Sequence, residues 1–322
     1  MIFPPLPPRK IVILAAAMLF ALVQAPAHGA TKELRWAGCG ISKLGFMQDL
    51  AKAYEEKTGT RIILEGGGAT KGLREVSSRH TDLGGSCRLP LVYKNEDGSY
   101  SIEESEKQLK IIPVGWDALV VLINRENPLI DSITTEQLRD VLTGKITHWN
   151  QLGSGSNKAI NLYLRKGKIS GVGRTLRQQL FNDPDMEFSD SATILPSSGK
   201  IEQAVAEDPY SFAVSGISSS RHRPVQMVKL DGTEPNMQTL KDGSYTLYRL
   251  LFLVVSDSYI ERPEIADFVR FALSVDGQNI IRAAGTLPYH QGVSLVFNGT
   301  SPDYLNSIDI MEQYKIYTLS GQ

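Results

Sequence analysis

Glycine-rich turns that separate short apolar strands from amphipathic helices restrict this chain to folds in which strands and helices alternate. A strand predicted at residues 33–36 is followed by the turn 38–42 and a helix, and a strand at 61–64 is followed by the turn 66–72 and a second helix. Parallel strands require such crossovers, which place helices on the faces of the sheet. The sequence therefore predicts an α/β protein with doubly wound sheets, in which the first three strands take the order 2-1-3.

Two long apolar segments, residues 110–124 and 247–255, bracket the middle of the chain. Between them, helix-forming segments alternate with short strands. If the chain crosses twice between two lobes, a long strand is expected at each of these two places. We therefore predict that residues 31–117 and 247–322 build the first lobe and that residues 118–246 build the second.

The N-terminus has the features of a secretory signal peptide. Arg9 and Lys10 form a short basic region, residues 11–23 are almost entirely apolar, and small residues follow. That order predicts a signal peptide over residues 1–30, cleaved within 27–30, and a periplasmic mature protein. The apolar run is shorter than the roughly 20 residues that span a bilayer, which disfavours a retained membrane anchor.

The charge balance argues against nucleic-acid and membrane-surface partners. The chain contains 34 basic and 35 acidic residues, and Arg9 and Lys10 are the charged residues of the predicted signal peptide. The mature chain is thus slightly acidic, without the basic patch that binds nucleic acid or an anionic membrane. We expect a monomer.

Two cysteines, Cys39 and Cys87, follow two strands that are neighbours in a sheet of order 2-1-3. Their turns would then be adjacent, and a disulfide requires Cα atoms within about 4.4–6.8 Å of each other. In an oxidising compartment the two could form a bridge, and two buried free thiols are the alternative. Neither lies in a Cys-x-x-Cys motif, which disfavours metal and redox chemistry.

Three glycine-rich turns each carry a hydroxyl side chain: Ser42 in residues 38–42, Thr70 in 66–72 and Ser170 in 167–173. Glycine allows several backbone N–H groups to point into one small space, and the helix that follows adds partial positive charge. In doubly wound sheets such turns meet at the carboxyl ends of the strands, where ligands bind. The three turns together predict a site for a small oxyanion.

Several segments resemble, in the same order along the chain, those of the PstS-like family, the phosphate-binding proteins of ABC transporters: residues 38–42, 66–73, 82–88, 114–124, 142–149, 243–245 and 274–278. Residues 142–149 match the family's Gly-Lys-Ile-x-x-Trp, and residues 274–278 match its Ser-x-x-Gly-Gln. The resemblance covers nearly the whole mature chain. It implies a two-lobed periplasmic binding protein fold of type II with two hinge strands, capture of inorganic phosphate by lobe closure, and an ABC permease as partner. No cofactor is expected.

The resemblance also implies a set of ligand-binding residues: Gly40, Ile41, Ser42, Thr70, Ser86, Cys87, Asp117, Arg165, Ser170 and Gly171. Arg165 is the leading candidate, because a guanidinium donates two parallel hydrogen bonds to an oxyanion and stays charged. Lys71 and Arg88 could steer anions from the rim or contact them directly.

The chain departs from the family pattern at two places that bear on specificity. The family's Arg-x-x-Gly-Ser-Gly-Thr becomes a loop with one extra residue between Arg165 and Ser170, and Val172 replaces the threonine. Cys87 stands where some members carry an aspartate, whose carboxylate accepts the proton of hydrogen phosphate and repels sulfate. Asp117 could supply that acceptor instead. Phosphate is therefore the first choice, and sulfate, arsenate and phosphonate stay open as alternatives.

An enzymatic function finds little support in the sequence. Ser197 and Lys200 fit the Ser-x-x-Lys motif of penicillin-binding proteins, but the Ser-Asp-Asn and Lys-Thr-Gly motifs that accompany it do not occur. The histidines have no metal-ligand spacing. We therefore expect a binding protein without catalytic activity or a metal site. A sensor or surface-assembly role on the same fold is the alternative.

Overall fold

The structure of the protein is a computed structural model, which describes residues 32–296. The predicted signal peptide, residues 1–30, and the last part of the predicted first lobe, residues 297–322, lie outside the described residues. The fold and the site are therefore those of residues 32–296.

The described strands are β1 (Glu33–Gly38), β2 (Arg61–Gly66), β3 (Leu83–Ser86), β4 (Val92–Lys94), β5 (Tyr100–Ile102), β6 (Leu109–Asn124), β7 (Ser132–Ile133), β8 (Asn161–Arg165), β9 (Thr193–Leu195), β10 (Ser211–Gly216), β11 (Val225–Leu230), β12 (Tyr248–Ser256) and β13 (Leu287–Pro288). The described α-helices are α1 (Gly40–Ser42), α2 (Gln48–Thr58), α3 (Ala69–Ser77), α4 (Thr135–Thr143), α5 (Gly171–Leu176), α6 (Ser198–Glu207), α7 (Ile217–Ser220), α8 (Met237–Lys241), α9 (Pro263–Leu273) and α10 (Val275–Ala284). Two π-helical segments, Lys43–Met47 and Arg177–Phe181, join α1 to α2 and extend α5.

Within the described chain, one large sheet contains all strands except β4 and β5, which pair with each other. The main order of its strands is β2-β1-β3-β12-β6-β10-β8-β9. Strand β1 is parallel to β2 and β3, which confirms the expected order 2-1-3. Strand β8 is parallel to β9 and β10. Parallel neighbours need crossover connections, which the helices between these strands provide.

The long strand β6 takes part in both halves of this sheet. Its residues 109–118 pair with β12, and residues 119–124 pair with β10 or β11. We call the half with β1, β2, β3 and β12 the first lobe, and the half with β8, β9, β10 and β11 the second lobe. The residue limits 31–117, 118–246 and 247–322 stay a prediction.

Strands β6 and β12 form the centre of the core. Every residue of β6 except Lys110 is buried, and every residue of β12 except Ser256 is buried. Strands covered on both faces appear in a sequence as continuous apolar runs, which is why both segments are visible there. Strand β6 is continuous from Leu109 to Asn124 and contains a β-bulge at Val114.

Glycines allow β1, β3 and α3 to pack more closely than side chains would permit. A Cβ at Gly38 would lie 2.5 Å from the carbonyl oxygen of Gly85, and a Cβ at Gly72, in α3, would lie 2.6 Å from the same oxygen. A Cβ at Gly85 would lie 2.1 Å from the ring of Trp36. These separations are too short for any side chain, so the close approach requires glycine. It determines where the turns after β1 and β3 lie.

We predict that Gly85→Ala destabilises the fold by about 1–3 kcal/mol, because the added methyl group would overlap the buried ring of Trp36. Gly66→Ala, at the end of β2, is the matched control, since a Cβ there meets nothing within 4 Å. Urea unfolding followed by tryptophan fluorescence measures both variants. Equal unfolding midpoints for the two variants would contradict this packing.

Candidate functional site

Three helical stretches follow the carboxyl ends of parallel strands. Cys39 caps the N-terminus of α1 after β1, Gly68 precedes α3 after β2, and Ser170 caps α5 after β8. The stretch that starts with α1 is helical without a break from Gly40 to Thr58. The first N–H groups of a helix have no partner within it, so they are available to an anion.

Gly171 brings the second lobe into contact with the first. A Cβ on Gly171, the first residue of α5, would lie 2.2 Å from the sulfur of Cys87 and 3.5 Å from the Cβ of Ala69, the first residue of α3. The N-terminal ends of α3 and α5 therefore lie close together, beside Cys87. Two of the predicted site residues, Cys87 and Gly171, are in direct contact.

Arg165, at the end of β8, lies against the glycine turn that precedes α3. A Cβ at Gly68 would lie 3.0 Å from its Nη2 atom. Its hydrogen bond to the described residues is a long one, from Nη1 to the carbonyl oxygen of Leu195 at 3.4 Å. Burial lowers the pKa of Arg165, and the charges of Cys39 and Cys87 oppose that shift. A guanidinium held between the lobes in this way is suited to bind an anion.

Asp117 forms a buried ion pair with an arginine that the sequence analysis missed. Its Oδ2 accepts a hydrogen bond from Nη2 of Arg249 at 3.1 Å, and its Oδ1 accepts one from the backbone N–H of Ser218 at 3.0 Å. Both charged side chains are almost fully buried. Arg249 lies in the apolar strand β12, and a basic residue inside such a strand is the signal that could have identified it.

Arg249 and Ser42 carry buried donors that lack a partner. The Nε and Nη1 atoms of Arg249 and the Oγ atom of Ser42 make no hydrogen bond to the described residues. An unmade bond at a buried donor costs about 1–3 kcal/mol, and more at a charged group, so water or a ligand is expected to accept these bonds. A cavity of about 30 Å³ borders Arg249 and Cys87 and has room for water.

The other predicted hydroxyl ligands already bond to the backbone: Ser86 donates to the carbonyl oxygen of Arg88 at 2.6 Å, Thr70 donates to that of Ile169 at 3.3 Å, and Ser170 accepts from the N–H of Gly173 at 3.2 Å. Ser42 and Ser170 are therefore the hydroxyls able to donate to a ligand without breaking another bond. The ligand roles of all four hydroxyls stay a prediction.

Arg88 connects the two lobes. Its guanidinium forms a two-pronged pair with Glu106, at 2.9 and 2.6 Å, and its Nε donates to the carbonyl oxygen of Ile169 at 2.9 Å. Arg88 and Glu106 belong to the first lobe, whereas Ile169 precedes Ser170 in the second. The same guanidinium donates to Thr70 at 3.0 Å. A buried ion pair of the first lobe thus holds the loop that leads into α5.

Two further residues considered from the sequence have other contacts. Lys71 pairs with Glu65 and Glu75. Ser197 caps α6 by accepting a hydrogen bond from the N–H of Lys200 at 3.2 Å.

In the described part of the chain, no group of three or more His, Cys, Asp or Glu side chains could hold a metal ion. None of the described helices is both long and apolar enough to cross a membrane.

Cys39 and Cys87 are buried free thiols whose sulfur atoms lie 3.0 Å apart. The hydrogen bond from Cys87 lowers the pKa of the Cys39 thiol to about 6, against the opposing effect of burial, and the charge of Arg249 contributes. The same hydrogen bond, together with burial, raises the pKa of Cys87 well above its usual value. The two turns are adjacent, as the strand order implies. The disulfide itself stays a prediction.

Comparisons of sequence identify related proteins. A family model described as the PBP superfamily domain matches residues 26–276. The phosphate-binding protein PstS of Borreliella burgdorferi is 27% identical over 192 residues, which cover 58% of this chain and 68% of that protein. The phosphate-binding protein PstS of Staphylococcus aureus is 25% identical over 195 residues, which cover 56% of this chain and 59% of that protein. The chain thus spans less than two thirds of the length of the second relative.

A comparison of structures identifies the fold. A Clostridium perfringens substrate-binding protein assigned to a phosphate ABC transporter, with phosphate bound, superposes with a TM-score of 0.67 at 22% sequence identity. The superposition covers 80% of this chain and 99% of that chain. This likeness confirms the two-lobed periplasmic binding protein fold that the sequence predicts.

Proposed function

The chain belongs to the PBP superfamily, and from that premise we propose that it is a periplasmic binding protein that captures inorganic phosphate between two hinged lobes. The relatives named phosphate-binding protein PstS and the phosphate bound in the Clostridium structure support this ligand. The motifs that resemble the PstS-like family support it as well, and the comparisons confirm that resemblance.

The observation that carries this proposal is that arginines from both lobes lie near one buried region. Arg165, from the second lobe, lies against Gly68 before α3, and Arg249, from the first lobe, borders the same cavity as Cys87, which contacts Gly171. Asp117 neutralises one of the two guanidinium charges, so the other is left for an anion when Cys39 carries no charge. Charge-assisted hydrogen bonds are the strong ones, and they are favoured further where water is excluded.

An anion held by both lobes stabilises their closed arrangement. Ser42 and the N–H groups of α1 contact it from the first lobe, and Arg165 and the N–H groups of α5 contact it from the second. Because these contacts form together only when the lobes meet, binding and closure are coupled. The bond from Arg88 to Ile169 adds a link between the lobes that does not involve the ligand.

Asp117 distinguishes hydrogen phosphate from sulfate in this proposal. Each of its carboxylate oxygens accepts one hydrogen bond from the protein and retains capacity for another. Hydrogen phosphate can donate its proton to such an oxygen, whereas sulfate has no proton to donate and is repelled. Asp117 thereby takes the role of the aspartate that some family members carry at the position of Cys87.

We further propose that the mature protein works in the periplasm with an ABC permease and has no catalytic activity. The signal peptide predicted over residues 1–30 would export it. The relatives are named for binding. Ser197, a candidate nucleophile in the sequence, has its hydroxyl engaged in capping α6. The lobe limits predicted from the sequence belong to the same proposal.

We predict that Arg165→Ala weakens phosphate binding by about 2–3 kcal/mol, because it removes charge-assisted hydrogen bonds in a shielded cleft. Arg270→Ala is the matched control, since that side chain is 70% exposed and pairs with Asp267. Isothermal titration calorimetry measures both variants and the unaltered protein. Unchanged affinity in Arg165→Ala would remove this residue from the site, and a failure of the unaltered protein to bind phosphate would overturn the proposed function.

We predict that Asp117→Asn lowers the affinity for phosphate and relaxes the rejection of sulfate, because an amide group can donate to sulfate and no longer repels it. Calorimetric titration with each anion gives the ratio of the two affinities. Circular dichroism checks the fold, since the variant also removes the ion pair with Arg249. A ratio equal to that of the unaltered protein would mean that Asp117 only shapes the hinge.

A further inference from the structure

Cys39 and Cys87 lie where the anion-binding elements of the two lobes meet. Cys39 caps α1, and Cys87 contacts Gly171 at the start of α5. Their sulfur atoms are 3.0 Å apart, and the two residues are 3% and 2% exposed. The sequence disfavours redox chemistry because neither cysteine lies in a Cys-x-x-Cys motif, but the pairing of β1 with β3 brings the two thiols together. Phosphate capture alone does not require such a dithiol.

Little movement separates the two thiols from a disulfide. Gly38 pairs with Gly85 across β1 and β3, so the turns that carry the cysteines are neighbours. Neighbouring strand ends can meet the Cα separation of about 4.4–6.8 Å that a disulfide requires. An S–S bond is about 2.05 Å long, so the two sulfur atoms need to approach each other by about 1 Å.

The charge of the pair depends on its oxidation state. The hydrogen bond from Cys87, the charge of Arg249 and the N–H groups of α1 lower the pKa of Cys39 to about 6, although burial opposes them. The reduced pair therefore carries close to one negative charge at neutral pH, whereas a disulfide carries none. That charge acts on Arg249 and Arg165, the two cations offered to the oxyanion.

We propose that Cys39 and Cys87 form a redox modification site that sets the affinity for the oxyanion, because the disulfide admits the anion whereas the dithiol competes with it for Arg165 and Arg249. This inference rests on the proposed function, since it concerns the same site. Two negative charges repel each other strongly in a region shielded from water. Oxidation removes the negative charge of the Cys39 thiolate, so both arginines can bind the ligand.

The redox step transfers two electrons to a low-molecular-weight disulfide. The Cys39 thiolate attacks that disulfide, and the thiolate that leaves takes a proton from water. Cys87 then loses its proton and attacks the mixed disulfide, which releases the second thiol. One S–S bond breaks in the oxidant and one forms in the protein. Because Gly171 covers Cys87, this exchange requires the lobes to separate, and bound phosphate slows it.

Calorimetric titration of phosphate into the oxidised and the reduced protein tests this inference. Oxidised glutathione and dithiothreitol prepare the two forms, and thiol counting in denaturant should find no free thiol in the first and both in the second. We expect the oxidised form to bind phosphate at least about tenfold more tightly at neutral pH. Equal affinities would overturn the inference, as would two free thiols after oxidation.

The difference between the two forms should shrink at low pH. Below about pH 6 Cys39 becomes a neutral thiol, so the reduced protein loses its competitor. Cys87 on the turn after β3 is already neutral, and Asp117, Arg165 and Arg249 on β6, β8 and β12 are common to both forms. The thiolate of Cys39 is therefore the charge that distinguishes the two forms. A ratio that is constant across this range would contradict the role of the thiolate.

Cys39→Ser supplies the control, because it removes the thiolate and also prevents the disulfide with Cys87. Its affinity should match that of the oxidised protein and should not respond to dithiothreitol. The double variant Cys39→Ser with Cys87→Ser repeats the test should the single variant not fold. A redox response that persists in either variant would overturn the inference. If no form binds phosphate, the proposed function fails, and if all forms bind it equally, only the redox inference fails.

Discussion

The close packing of β1, β3 and α3 is the constraint on which the site depends. With no side chain at Gly38, Gly72 or Gly85, these backbones approach to distances at which a Cβ would overlap a carbonyl oxygen or a ring. The turns after β1 and β3 are adjacent as a result, and the sulfur atoms of their cysteines lie 3.0 Å apart. A wider spacing would separate the N-terminal ends of α1 and α3, whose N–H groups could then not reach one anion.

Buried charge makes this meeting point suited to an anion. The ion pair between Arg249 and Asp117 joins β12 to β6 in the centre of the core. Removing two charges from water costs free energy that their mutual attraction only partly returns, and Arg249 has two further donors without a partner. An oxyanion that accepts these bonds offsets part of the cost when it binds. Ser42 and Arg165 extend the same set of donors into both lobes.

The fold could be predicted from the sequence because it follows from local patterns, whereas the site could be predicted only in part. The strand, turn and helix order and the two long core strands depend on glycine positions and apolar runs, which neighbouring residues reveal. Hydrogen-bond partners depend on long-range contacts, which neighbouring residues do not reveal. Thr70 therefore resembles a ligand hydroxyl in the sequence, although it donates to the carbonyl oxygen of Ile169, 99 positions away. Arg249 was missed because its partner, Asp117, lies 132 positions away.

The central claim is that one phosphate ion contacts both lobes at the meeting point of α1, α3 and α5. A crystal structure of the mature protein grown with phosphate tests it most directly. We expect the phosphate oxygens to accept hydrogen bonds from the N–H groups of residues 40–42 and from the guanidinium of Arg165, with the lobes closed around the ion. A phosphate bound elsewhere, or held by the residues of a single lobe, would contradict it.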